Sequence, residues 1–279
     1  MFNLLLLYCV LIALASLFGG SIPSLVKLTH ERIQLVLSLV SGVMLGVALL
    51  HLLPHAILVL ESPENALGIC LAGLLFMFFL IRTFHFHQHD LAVDSGHDHK
   101  QKELCNHDHD QHHVHCEEHS GSVDMGWAGL CFGLAIHTIL DGITLAAAVQ
   151  SSSPVGWSLA GMGVFLAIVL HKPLDALSIT SLMKIRGYDM NKQMIVNLVF
   201  SLMCPLGAFL FAFSIESLES YRDMALGISL AFSAGVFLCI SLGDLLPEVH
   251  FHSHDRLKLS AMLLLGVAIA FGIEMMHSH

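Results

Sequence analysis

Two short segments of the chain carry side chains that could do chemistry. HTILDG, from His137 to Gly142, and HKPLDA, from His171 to Ala176, each place a histidine four residues ahead of an aspartate and follow it with a small residue. On a helix, groups four apart fall on one face, one turn from each other. Two such faces turned together supply two imidazoles and two carboxylates, a four-ligand set suited to zinc and acceptable to ferrous iron or manganese. Lys172 stands inside the second segment and adds an ammonium to the same neighbourhood. The same residues could instead form a structural network, with His–Asp hydrogen bonds tying two helices together and Lys172 neutralising Asp175 or Asp141.

The elements around these segments are membrane spans. The chain has 279 residues, of which 55% are hydrophobic and 12% charged, with a mean hydropathy of +0.75. Those values lie far outside the range of soluble domains. Stretches free of Asp, Glu, Lys and Arg run over Met1 to Val26, Ile33 to Leu60, Asn65 to Ile81 and Gln193 to Ile215. Four more apolar stretches hold a few ionisable groups: Met125 to Gln150, Ser151 to Met183, Met224 to Pro247 and Leu259 to the C-terminus. Each is near or above the length that crosses a bilayer as helix, so the sequence predicts an all-α membrane protein of eight spans. Both His–Asp segments fall near the middle of a span, where an ionised Asp costs roughly 2.5–3.5 kcal/mol. Ionisable groups at such depth are functional by default, which favours metal over scaffold. Pro173 and Pro54, each inside a span, free a backbone carbonyl one turn earlier, a feature tolerated where backbone lines a cavity.

Spans 4 and 5 are joined by the short SSSPVG loop and are therefore antiparallel neighbours, so their His–Asp faces can converge. Loops 1, 3, 5 and 7 carry ten of the basic residues, from Lys27 to Lys258, while loops 2, 4 and 6 carry only Arg222. That asymmetry puts the odd loops in the cytoplasm and both termini outside. ALAS at Ala13 to Ser16 resembles a leader cleavage site, but span 1 lacks a basic start and has a long apolar core, so a retained helix is expected. Cys9, Cys70, Cys131, Cys204 and Cys239 fall in spans and read as packing residues, not as a disulfide framework.

A second internal likeness links spans 2 and 7. GVMLGVALLHLLPH from Gly42 aligns with GVFLCISLGDLLPE from Gly235, matching Gly42 to Gly235 and Leu52–Pro54 to Leu245–Pro247. His51 then answers Asp244, and His55 answers Glu248. Spans 2 and 7 cross in opposite directions, and inverted copies of this kind belong to transporters.

HTILDG in span 4, HKPLDA in span 5, HLLPHA in span 2 and SLGDLLPE in span 7 together resemble the signatures of the ZIP (Zrt/Irt-like) metal transporters. The resemblance covers the whole chain. It implies spans 1–3 and 6–8 as inverted copies around spans 4 and 5, a 3+2+3 plan with boundaries at 1–83, 125–184 and 185–279. It implies a pathway along spans 2, 4, 5 and 7, with His137, Asp141, His171 and Asp175 as the metal ligands. His51 and His55 resemble the polar pair of span 2, and Asp244 and Glu248 that of span 7. It further implies carriage of the ion into the cytoplasm; zinc, or iron or manganese, is read as substrate and not as a prosthetic group, with alternating access as the expected mechanism and the plasma membrane as the expected location. Two departures stand out. Asp141 replaces a Glu common in the family, and Lys172 replaces a carboxylate that helps bind a second metal in many bacterial members, so one bound ion is expected.

Residues 84–124 form the loop between spans 3 and 4, and from His85 to His119 they hold eleven of the 21 histidines. His107, His109, His112, His113, His115, Cys105 and Cys116 are its densest potential ligands. The loop carries nine acidic residues against Lys100 and Lys102, and such a composition cannot bury a core; a disordered, metal-capturing segment on the cytoplasmic side is expected. Partners are thus divalent ions and lipid, with no nucleic acid; a homodimer is compatible with the sequence. A cation-diffusion exporter shares His-x-x-x-Asp pairs and a His-rich loop, but resembles six spans with a soluble C-terminal domain. An intramembrane zinc hydrolase would need an open metal position and a general base, and no H-E-x-x-H is present, so the chain is not read as an enzyme.

Overall fold

The computed structural model of the chain describes residues 2–25, 30–84, 126–151, 160–217, 221–251 and 256–277. Among them are eight helices long and apolar enough to cross a membrane, and no strand. Helix is the expected outcome in lipid, where each backbone polar group must find its partner within its own segment.

Helix α1 covers Phe2–Leu25. Helix α2 begins as His30–Gly46, passes through a π-helical turn at Val47–Leu52 and finishes as Leu53–Leu60. Glu61, in the left-handed region at φ 51°, ends it, and α3 follows at once over Pro63–Phe84. Helices α4 and α5 are Gly126–Ser151 and Met162–Ile185. Helix α6 starts as Met190–Ser201 and resumes as Met203–Glu216; α7 is Arg222–Phe251 and α8 Arg256–His277.

Three proline sites behave differently. Pro54 cannot donate to Leu50, and just before it the helix widens, with the Leu53 N–H reaching back five residues to the Ala48 carbonyl. Pro205 likewise leaves Ser201 without a donor, and α6 breaks at Leu202, whose N–H bonds the Val199 carbonyl in a tighter turn at 3.2 Å. Helix α5 runs through Pro173 without interruption. The sequence places the start of span 5 at Ser151, whereas α5 begins at Met162, after Gly161 in the left-handed conformation at φ 71°.

The most extensive helix contacts pair α2 with both α7 and α8, α1 with α5, α3 with α7 and α4 with α6. Glycines allow the closest approaches. Gly42 and Gly266 admit each other's backbone between α2 and α8; between α3 and α7, Gly73 admits the backbone of Phe232 and Gly235 that of Cys70 and Leu74. Gly207 faces the Ile139 backbone on α4, and Gly19 faces Pro173 on α5. Helix α4 is the most enclosed span and α8 the most exposed. Outward faces of α1, α3 and α6 present Leu6, Leu14, Leu71, Phe79, Leu206 and Phe213, the surface a bilayer requires.

Candidate metal centre

Helix α4 carries His137 and Asp141 one turn apart, and α5 carries His171, Lys172 and Asp175. All five side chains are buried, with Asp141 at 0% exposure. His137 Nε2 lies 3.4 Å from Asp141 Oδ2 and 4.0 Å from Asp175 Oδ2. His171 Nε2 lies 3.3 Å and 3.9 Å from the same two atoms. The two imidazoles stack with centroids 5.5 Å apart.

The proton positions follow from the neighbours. His171 Nδ1 donates to the Ala167 carbonyl at 2.7 Å, so in the neutral ring Nε2 bears the lone pair and faces Asp141. A ring lone pair opposed to a carboxylate oxygen is an arrangement that calls for a cation between them. Tetrahedral zinc bonds of ~2.0–2.1 Å put ligand atoms about 3.3 Å apart, so the Asp141 edges already match and those of Asp175 must contract slightly. His137 Nδ1 and Asp141 Oδ1 are buried with no hydrogen-bond partner, so this cluster is not satisfied by internal bonding alone.

Lys172 supplies part of the missing positive charge. Its ammonium donates to Asp141 Oδ2, and to Asp175 Oδ2 at 3.2 Å. It also lies 5.8 Å from the centroid of the Phe200 ring of α6. Phe237 of α7 closes another side, its ring edge-on to His171 at 6.2 Å. About one turn beyond Asp141, Thr144 of α4 and Ser233 of α7 share a hydrogen bond of 2.6 Å.

The span 2 histidines lie elsewhere. His51, on the π-helical turn, places Nδ1 2.7 Å from Glu274 Oε2 of α8, and its ring meets that of His55 edge-on at 4.7 Å. Sequence reading singled out His51 and His55 but missed Glu274, although it is the only carboxylate of α8 and its burden in an apolar span was a usable signal. Asp244 and Glu248 stand on α7, but their side chains lie outside the described residues, as does the whole loop set His107, His109, His112, His113, His115, Cys105 and Cys116.

Eight apolar helices with a buried His–Asp cluster define a multi-pass integral membrane protein whose interior holds groups able to ligate a metal. The chain belongs to the family described as ZIP Zinc transporter, whose model matches residues 2–274. Members of this family are transporters, not enzymes. Among its relatives, Zinc transporter ZIP9-A of Xenopus laevis is 28% identical over 96% of this chain and 97% of its own length. Zinc transporter ZIP9 of Micropogonias undulatus is 29% identical over 88% of this chain and 86% of its own. Zinc transporter ZIP1 of Homo sapiens is 30% identical over 52% of this chain and 42% of its own.

Proposed function

We propose that this chain carries zinc across a membrane, into the cytoplasm, through a site made of His137, Asp141, His171 and Asp175. The observation that carries the reading is the convergence of those four ligand atoms, all within 4.8 Å of one another, inside a bundle of the ZIP family. Two aspartates and Lys172 leave the empty site with a net charge near −1, and a divalent ion reverses it to about +1. Binding therefore weakens the hold of both carboxylates on Lys172, and the ion is exchanged rather than retained. Alternating access follows if spans 1–3 and 6–8 act as inverted copies about α4 and α5. Exchanging span 1 for 6, 2 for 7, 3 for 8 and 4 for 5 turns the α1–α5 contact into α6–α4, and α2–α8 into α7–α3, which supports that relation. The same exchange matches Gly42 to Gly235 and Gly266 to Gly73.

The basic loops support cytoplasmic odd loops and outside termini, and the plasma membrane is the site we assign. The loop of residues 84–124 would then receive or buffer arriving ions. Uptake of radioactive zinc into cells expressing the wild type and Asp175→Ala, with iron and manganese as competitors, tests the reading. Saturable uptake that collapses in the variant supports it. Flat uptake with faster loss from preloaded cells points to an exporter, and no flux in either direction returns the cluster to a structural network.

A further inference from the structure

A second set of ligands stands apart from the central four. His51 and His55 lie four residues apart on α2, the spacing that sets two imidazoles on one helical face toward a metal. Glu274 joins them from α8, and the three ligand atoms lie within 4.8 Å of one another. The parts differ in exposure: His51 is 6% exposed at its side chain, and Glu274 31%.

This set does not share an ion with the central one. Gly163, in the first turn of α5, faces Val47 of α2 and Ile273 of α8, where an added Cβ would lie 3.7 and 3.8 Å from their side chains, next to the residues that bear the second set. His171 lies eight residues further along α5, about 12 Å at 1.5 Å per residue. Helix α5 therefore touches both helices of the second set at its start and carries half of the central set near its middle.

We propose that His51, His55 and Glu274 form a second divalent-cation site, taking a first-row transition ion that keeps at least one water. Two histidines and one glutamate are a known zinc ligand set that leaves a coordination position open. With the His51 ring proton on Nε2, Nδ1 and Glu274 Oε2 become two lone-pair donors. Their 2.7 Å separation need widen only to about 3.3 Å to accept an ion. The π-helical turn supports the geometry, because it sets the angle at which His51 leaves α2, and such turns recur at functional sites. One charge from Glu274 and partial exposure make the site weaker and wetter than the central one. The binding stands on these residues alone; its role, as a station that holds an ion beside the central pathway, rests on the transport reading.

Cobalt binding tests it. The full chain is placed in lipid nanodiscs, with Asp141→Asn and Asp175→Asn to remove the central carboxylates, and bound Co2+ is counted by equilibrium dialysis with its visible spectrum recorded. Adding Glu274→Gln should remove one equivalent, or weaken one by about tenfold or more, while Glu274→Asp should keep it. His55→Ala, at the partly exposed ligand, should repeat the loss if Glu274→Gln does not fold. The His-rich loop contributes equally to every variant. An unchanged count and spectrum in well-folded Glu274→Gln and His55→Ala proteins would overturn the site. Zinc uptake by Asp175→Ala is read separately, so failure of the central reading and failure of this one give different results.

Discussion

The two ligand clusters sit in one bundle and solve opposite problems. At the centre, two carboxylates are sealed from solvent, and Lys172 sits on both of them. At the outer cluster one carboxylate is nearly a third exposed and pairs with a histidine instead of a lysine. Burying two like charges without a cation is costly, so the sealed site needs a built-in counter-charge whereas the open one can use water. The comparison teaches what Lys172 is for. On the transport reading it holds the empty centre together, at the expense of competing with the ion that would fill it.

Removing a central ligand has the largest effect. Asp175→Ala leaves Lys172 tied only to Asp141 and takes one donor from four. Zinc uptake should fall by more than the ~10–100-fold that changes behind a metal's ligands produce. Uptake assays across a zinc series check this; a loss of only a few-fold would mean that the ion does not depend on this aspartate. Lys172→Met tests the other half. Breaking a buried ion pair from one side costs about 3–5 kcal/mol, so the metal-free protein should melt early. Zinc should then raise its melting temperature more than it raises that of the wild type, because the ion replaces the lost ammonium. Equal shifts in the two proteins would assign Lys172 no part in balancing the site.

Glu274→Gln is the matching change at the outer cluster, with a smaller effect. The KM for zinc uptake should rise by about tenfold, outrunning any change in the maximal rate, since a capture site governs occupancy more than turnover. A fall in maximal rate at constant KM would instead place Glu274 in the moving machinery.

Why one cluster was legible in the sequence and the other only in part has a physical cause. HTILDG and HKPLDA expose their chemistry because the helix period puts residues four apart on one face, and a short connection makes their helices neighbours. Glu274 meets His51 across 223 residues, and nothing local in GIEMMH names that partner. The likeness of Gly42 to Gly235 was visible, and in the fold each glycine admits the backbone of a neighbouring helix, Gly266 and Gly73 supplying the other side. The break at Leu202 and the widened turn at Val47–Leu52 were not foreseen as such, because proline predicts a lost hydrogen bond but not how the chain repairs it. Eight spans follow from hydropathy alone, since lipid permits so few alternatives.

The smallest effect is expected at Pro54, one residue beyond the Leu53 that closes the π-helical turn. Pro54→Ala restores an N–H that can bond the Leu50 carbonyl, and so removes the local reason for a five-residue register. If the turn tightens, His51 rotates relative to His55 and Glu274, and the outer cluster loses part of its convergence. Nothing at His137, Asp141, His171 or Asp175 depends on that turn. Cobalt affinity of the outer cluster, measured in the Asp141→Asn and Asp175→Asn background, should therefore weaken by roughly threefold, well under 1 kcal/mol. Zinc-dependent melting of Pro54→Ala in the otherwise wild-type chain should stay near its normal value. Unchanged cobalt affinity would show that Val47, Ala48 and Leu52, all buried at the same turn, impose the wide register by packing. The aim of His51 would then be a property of the core around it and not of the proline.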